Sequence, residues 1–151
     1  MTKNDEHKQI VIVSGKGGTG KTTITAAFTA LADGQVIADC DVDAADLHIL
    51  LKPEITQTLP YTGGKKARIN IDLCSQCGIC VEYCRFEAIE NFIINPVKCE
   101  GCGFCVKLCP NNAIEFEDAI AGFYFEGKVG PHPFLSARLN PGEGNSGKLV
   151  S

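Results

Sequence analysis

Apolar and polar positions along the chain define a short series of elements. Gln9 to Val13 (QIVIV) is a continuous, β-branched apolar run leading into glycines, which predicts a buried strand. Lys21 to Ala32 (KTTITAAFTALA) reads as a helix ended by Asp33 and Gly34. QVIADCD, residues 35–41, predicts a second buried strand, so the opening segment reads as strand, loop, helix, strand: a right-handed βαβ unit. After the apolar run LHILLKPE, residues Pro53, Pro60, Gly63 and Gly64 predict a loop, and KARINID, residues 66–72, alternates like an edge strand. Further on, GFYFEGKVG and PFLSARLN read as two strands joined near Pro131 and Pro133, and GNSGKLVS opens a helix.

Between the alternating stretches the chain repeats itself. CSQCGICVEYCRFEAI, from Cys74, matches CEGCGFCVKLCPNNAI, from Cys99, at a constant offset of 25 residues, and Ala88-Ile89 recurs as Ala113-Ile114. Eight of the nine cysteines lie in this repeat. With no apolar leader after the charged start MTKNDEHK, they point to metal or redox chemistry rather than to a disulfide scaffold. No stretch is long and apolar enough to span a bilayer, and the expected location is cytoplasmic. A formal charge of -4 over 151 residues argues against nucleic acid as a partner.

Each half of the repeat has the spacing C-x2-C-x2-C-x3-C: Cys74, Cys77, Cys80 and Cys84, then Cys99, Cys102, Cys105 and Cys109. Paired C-x2-C units also bind zinc. Three successive steps with a duplicated fourth position suit a cubane cluster better, because three close thiolates cap three corners and the fourth comes from elsewhere. The repeat, over about residues 67–116, resembles bacterial two-cluster ferredoxins. That resemblance implies crossed ligand sets: Cys74, Cys77, Cys80 and Cys109 for one 4Fe-4S cluster, and Cys99, Cys102, Cys105 and Cys84 for the other. One departure is Arg85, which stands where such sequences carry proline, and it is expected to leave one cluster more exposed or to raise its potential.

The other motif is SGKGGTGKTT. Gly15 to Thr22 fits G-x-x-x-x-G-K-[ST] between a predicted strand and a predicted helix. Its glycines would let backbone N–H groups cradle phosphates at a helix N-terminus, with Lys21 on the β- and γ-phosphates and Thr22 on magnesium. Lys16 is superfluous to that cradle but fits the KGGxGK[ST] loop of the deviant Walker A class of P-loop ATPases, which the sequence resembles: the MinD, ParA and Mrp superfamily. The resemblance implies a site of Gly15, Lys16, Gly17, Gly18, Thr19, Gly20, Lys21, Thr22 and Thr23 holding ATP and Mg2+. It also implies that Lys16 reaches the nucleotide of a partner subunit in a homodimer, or a heterodimer with a paralogue, and that Asp41 of the Asp39-Cys40-Asp41 segment orients water or the magnesium shell. Lys16, Lys21 and Asp41 are thus the catalytic candidates.

Other features have plainer readings. Cys40 reads as a small core residue, Asp46 has no assigned role, and GEGNSGK reads as a helix-opening loop, since Leu149 stands where a magnesium ligand should be. His7, His48 and His132 have no partners at catalytic spacing; His48 reads as packing and His132 as loop. Phe123 and Phe125 read as one strand face.

Together the motifs resemble a MinD-superfamily ATPase with an inserted ferredoxin. The expected fold class is α/β, an incomplete P-loop parallel sheet (residues 1–56 and 119–151) with an inserted α+β bacterial-type two-cluster ferredoxin domain (residues 57–118). The further strands and switch segment of that family are not found before Ser151, so the chain reads as the N-terminal portion of a longer protein with weak or absent hydrolysis. The expected function is ATP-linked electron transfer through two 4Fe-4S clusters to a redox or iron–sulfur acceptor protein. The alternatives are an iron–sulfur assembly or carrier ATPase, and a simple electron-transfer ferredoxin module with a vestigial nucleotide site.

Overall fold

A computed structural model describes residues 8–15, 18–144 and 146–150. Helix α1 (Lys21–Leu31) and strand β1 (Ile37–Asp39) form where the sequence places them. The expected strand over residues 9–13 does not: the run is irregular, with Ile10, Val11 and Val13 at 70%, 68% and 81% exposure. A parallel strand of this apolar type holds only when neighbours flank it and both faces are covered. The sheet supplies neither, so the expected βαβ unit lacks its first strand among the described residues.

Helix α2 (Leu47–Leu51) leads into β2 (Glu54–Ile69), which runs unbroken through the segment expected to be a loop. Pro60 is tolerated because β2 is the edge of a four-stranded sheet of order β1-β6-β5-β2, and register shifts near Ile55, Tyr61 and Thr62 absorb the irregular residues. Its partner β5 (Ile114–Val129) pairs with it antiparallel from Glu54↔Lys128 to Ile69↔Ile114. A tight turn at Gly130 and Pro131 returns the chain as β6 (His132–Leu139), antiparallel to β5. Among the described residues only β1 and β6 pair in parallel, so the expected P-loop parallel sheet gives way there to a mainly antiparallel one.

The β2–β5 ribbon carries a module at its far end. There lie the short helices α3 (Ile79–Glu82) and α4 (Phe104–Leu108) and the small antiparallel pair β3 (Ile89–Glu90) and β4 (Ile93–Ile94). The module's core is Ala67, Cys80, Ala88, Ile89, Cys99 and Ile114, with Ile69, Phe86, Ile94 and Phe116 packed on it. At the opposite end of the ribbon, Ile37, Leu47 and Phe134 form a second core with Ala26 of α1. Phe134, 1% exposed, contributes roughly 1.5–3 kcal/mol there. A third cluster of Val42, Ala137, Leu139 and Leu149 holds α5 (Ser146–Val150), the expected helix opening, against Tyr61 and Tyr124.

Three smaller expectations change. Cys40 is exposed, not a core residue, because β1 ends at Asp39 before burial can reach it. His48 sits exposed in α2 while Leu47 takes the buried place, and His132 begins β6, paired with Val129. Phe123 and Phe125 share one face of β5, with the Arg138 guanidinium 5.8 Å from the Phe125 ring. His7 lies outside the described residues, among which no helix is long and apolar enough to cross a membrane.

Candidate metal centre

The eight repeated cysteines surround two cavities in the module. One is lined by Cys99, Cys102 and Cys105 together with Cys84. The other is lined by Cys74, Cys77 and Cys80 together with Cys109. Each cavity therefore draws three thiols from one repeat and the fourth from the other. The fold produces this crossing through paired strand ends: Ile69, before the first cysteine run, lies opposite Ile114, after the second, while Ile89 and Ile94 pair in the middle.

Local backbone chemistry brings the thiols to the cavity walls. Gly78 and Gly103 precede α3 and α4 in the left-handed region, at φ 81° and 71°, and so turn each cysteine loop into a one-turn helix. Cys80 and Cys99 are buried, Cys77 and Cys102 are exposed, and the other four lie between. The Ala113 N–H donates to Cys109 Sγ at 3.2 Å, which fixes that side chain at the cavity wall. Burial pushes the Cys80 thiol up, with the neighbouring Cys74 adding to it, and burial likewise raises Cys105, aided by Cys99.

This donor set fits a 4Fe-4S cluster. Soft thiol sulfurs beside apolar Phe86, Ala88, Ile89 and Ile94, with Glu100 the one charged residue on the wall of the first cavity, are what such a cluster takes. Among the described residues no three Cys, His, Asp or Glu side chains converge tightly enough to hold a single ion. The thiols instead line two hollows, four to each, a grouping that suits the ligands of two polynuclear clusters.

The nucleotide-loop candidates occupy a separate place. Gly18 and Gly20 take φ of 77° and 90°, and Gly20 precedes α1 with no side-chain cap on the helix. Lys21 and Thr22 are half-buried, while Gly15, Thr19 and Thr23 are exposed or nearly so at the start of that helix. Lys21 Nζ lies 3.7 Å from Asp41 Oδ2, so two catalytic candidates 20 residues apart are brought together. Asp39 is engaged structurally, accepting from the Asp41 and Leu47 N–H groups at 3.2 Å each. Lys16 and Gly17 lie outside the described residues.

Sequence reasoning missed Lys66, which no motif marks. Its ammonium donates to the Cys99 carbonyl at 2.8 Å and the Pro96 carbonyl at 3.0 Å, and pairs with Glu143 Oε1 at 3.0 Å. It also missed Gly101, φ 63°, where a Cβ would collide with the Lys65 carbonyl. A signal for the true start of the repeat was present: the dipeptide Ile69-Asn70 recurs as Ile94-Asn95 at the same 25-residue offset.

The profile of the 4Fe-4S binding domain matches residues 67–90 and 92–115. The chain is 40% identical, over 145 residues and 94% of its length, to an uncharacterized protein of Methanocaldococcus jannaschii. It spans about half of that relative, 52%. No solved structure is significantly similar to it. What the chain carries, on these comparisons and on the geometry of its cysteines, is a pair of 4Fe-4S binding repeats in a ferredoxin-like module.

Proposed function

We propose that the protein is an electron-transfer protein whose module, residues 57–118, holds two 4Fe-4S clusters. The observation that carries this reading is the pair of cavities, each lined by three cysteines of one repeat and the fourth of the other. Cys74, Cys77, Cys80 and Cys109 would hold one cluster, and Cys84, Cys99, Cys102 and Cys105 the second. Such clusters supply one-electron redox chemistry. The protein's own residues fix the thiols, exclude water through Phe86, Ile89 and Ile94, and leave Cys77 and Cys102 at the surface, where a redox acceptor would approach. Anaerobic iron and sulfide analysis with an EPR redox titration tests it: two cubane signals are expected, and their absence after reconstitution sinks the reading.

A second reading adds nucleotide control, and the Lys21–Asp41 approach is what favours it. Lys21, Thr22 and the glycine loop would bind the phosphates and magnesium of ATP, Asp41 would sit beside them, and Lys16 would serve a partner subunit. Repeating the titration with Mg-ATP tests this, with Lys21→Ala as control. A shift in either potential that disappears in the variant supports coupling; potentials indifferent to nucleotide leave an electron carrier with a vestigial loop.

A further inference from the structure

Lys66 occupies an unusual position in the module. It lies on the edge strand β2, 19% exposed, and its three N–H donors meet three acceptors: the Cys99 and Pro96 carbonyls and the carboxylate of Glu143, itself only 13% exposed. The cation is therefore pinned against the backbone of a cysteine lining the first cavity. A second contact fixes the same loop, because Gly101 packs onto the Lys65 carbonyl so closely that no side chain fits. Lys66 acts from behind the wall of that cavity, whose one charged lining residue is Glu100; the other cavity is lined by no charged side chain, and uncharged Asn91 stands 25 residues after Lys66 in the repeat. Glu143, for its part, belongs to neither repeat. It comes from the segment between β6 and α5, where Gly142 packs on Val97; Leu149 of α5 is buried with Val42, Ala137 and Leu139.

Reduction adds negative charge to a cluster, so a nearby buried cation raises its potential and a nearby anion lowers it, both more strongly than at the surface. We propose that Lys66 is a positioning residue that raises the potential of the cluster held by Cys84, Cys99, Cys102 and Cys105, and that Glu143, delivered by the β6–α5 segment, sets how much of that charge the cluster feels. The proposal rests on the reading that these cysteines hold a cluster. It makes the two clusters unequal by construction, and it makes Glu143 the point through which the rest of the protein can adjust one potential and leave the other alone.

The test is an anaerobic EPR redox titration of the intact, iron-loaded protein and three variants: Lys66→Met, Glu143→Gln and the pair together. With dithionite as the one-electron donor, Lys66→Met should lower one of the two reduction waves and Glu143→Gln should raise that same wave. The double variant should fall between them, and the second wave should stay fixed. The moving wave should be the one that Cys102→Ser alters. A purely structural Lys66 would shift neither wave, or move the wave in the same direction in both variants, and either result overturns the proposal. Glu143→Gln keeps the acceptor oxygen and the shape, so it decides the sign if Lys66→Met does not fold. Two waves in the parent protein that ignore these charges refute this inference only; a parent protein without two cubane waves refutes the cluster reading beneath it.

Discussion

The two repeats of the module share a backbone and differ in how they are attached to the rest of the chain. Asn70 and Asn95 make the same turn, their side-chain oxygens accepting from Asp72 and Val97 N–H groups at 3.1 and 2.9 Å. Their own N–H groups cross to the other repeat, Asn70 to the Ala113 carbonyl at 2.8 Å and Asn95 to the Ala88 carbonyl at 2.7 Å. Ala88 and Ala113 are 2% and 1% exposed, and Glu87 and Asn112 both stand at φ 50°. The differences sit elsewhere. Gln76 occupies the left-handed position that Gly101 takes in the second repeat, and the counterpart of Lys66 at the 25-residue offset is the uncharged Asn91. The first repeat ends in the two-residue β3 and the second in the sixteen-residue β5. What is common serves the holding of a cluster; both sites reach the sheet, one through Ala67 and the other through Ile69 and Ile114, and what differs is the extra seating of the second cysteine loop by Lys66, Glu143 and Gly101.

The largest effect that can break this picture comes from the crossing. Cys84→Ser combined with Cys102→Ser removes two thiols from one cavity, so about half of the iron and one set of cubane signals should survive. If each repeat served its own cluster, the same pair would strike both sites and almost no iron would remain. The complementary pair, Cys77→Ser with Cys109→Ser, should leave the opposite cluster.

A smaller effect probes attachment directly. Gly101→Ala places a methyl group on the Lys65 carbonyl at a backbone angle that costs an L-residue ~1–2 kcal/mol, with overpacking adding ~1–3 kcal/mol. Gln76→Ala, at φ 54° in the equivalent place, already carries that backbone cost and should change stability by about 0.5 kcal/mol or less. Denaturant unfolding of the two variants compares them; equal effects would show that the second loop is no more tightly seated than the first.

The cysteine spacing made the module legible because eight thiols at a fixed repeat leave few chemistries open, and the match of residues 67–90 and 92–115 to the 4Fe-4S binding domain agrees. Helix α1, strand β1, the edge character of β2 and the β5–β6 hairpin were legible from apolar periodicity and turn residues. The ribbon was not, since Pro60, Gly63 and Gly64 read as breakers and only the edge position, with its register shifts, makes them tolerable. The run over residues 9–13 erred the other way: its β-branched residues favour a strand, but a strand needs a neighbour, and local sequence does not say whether one is there. Lys66 was illegible for a third reason. Its three acceptors come from residues 30, 33 and 77 positions away, and two of them are backbone carbonyls that no side-chain motif records.

Arg85 sharpens the comparison more gently. It replaces the position that Pro110 holds in the second repeat, is exposed, and stacks its guanidinium 4.9 Å from the Phe86 ring. Phe86 lines the same cavity as Cys84, so the charge sits on the outer wall of the cluster site already assigned to Lys66. Solvent and salt screen an exposed charge. Arg85→Pro should therefore lower one wave by less than Lys66→Met does, and the difference should shrink as ionic strength rises. An equal or larger shift, insensitive to salt, would mean that the proline reshapes the loop rather than removing a charge.

The smallest effect concerns the iron-free chain and treats the repeats alike. Cys80 and its counterpart Cys105 are both raised, burial first and neighbouring thiolates second. A thiol with a higher pKa folded than unfolded keeps its proton more tightly in the native state. Its stabilising contribution is complete below the ordinary thiol value of about 8.5 and is lost as pH climbs through the folded values. Thermal unfolding of the apo protein should therefore move to lower temperature above about pH 8.5, while the iron-loaded protein, whose cysteines are held as thiolates by metal, should not follow that trend. If Cys80→Ser and Cys105→Ser each flatten the apo profile by similar amounts, the two interiors are equivalent and the inequality of the sites lies in Lys66, Glu143, Gly101 and Arg85. If only one does, the asymmetry reaches the ligands themselves, and the division between a shared interior and a one-sided attachment fails.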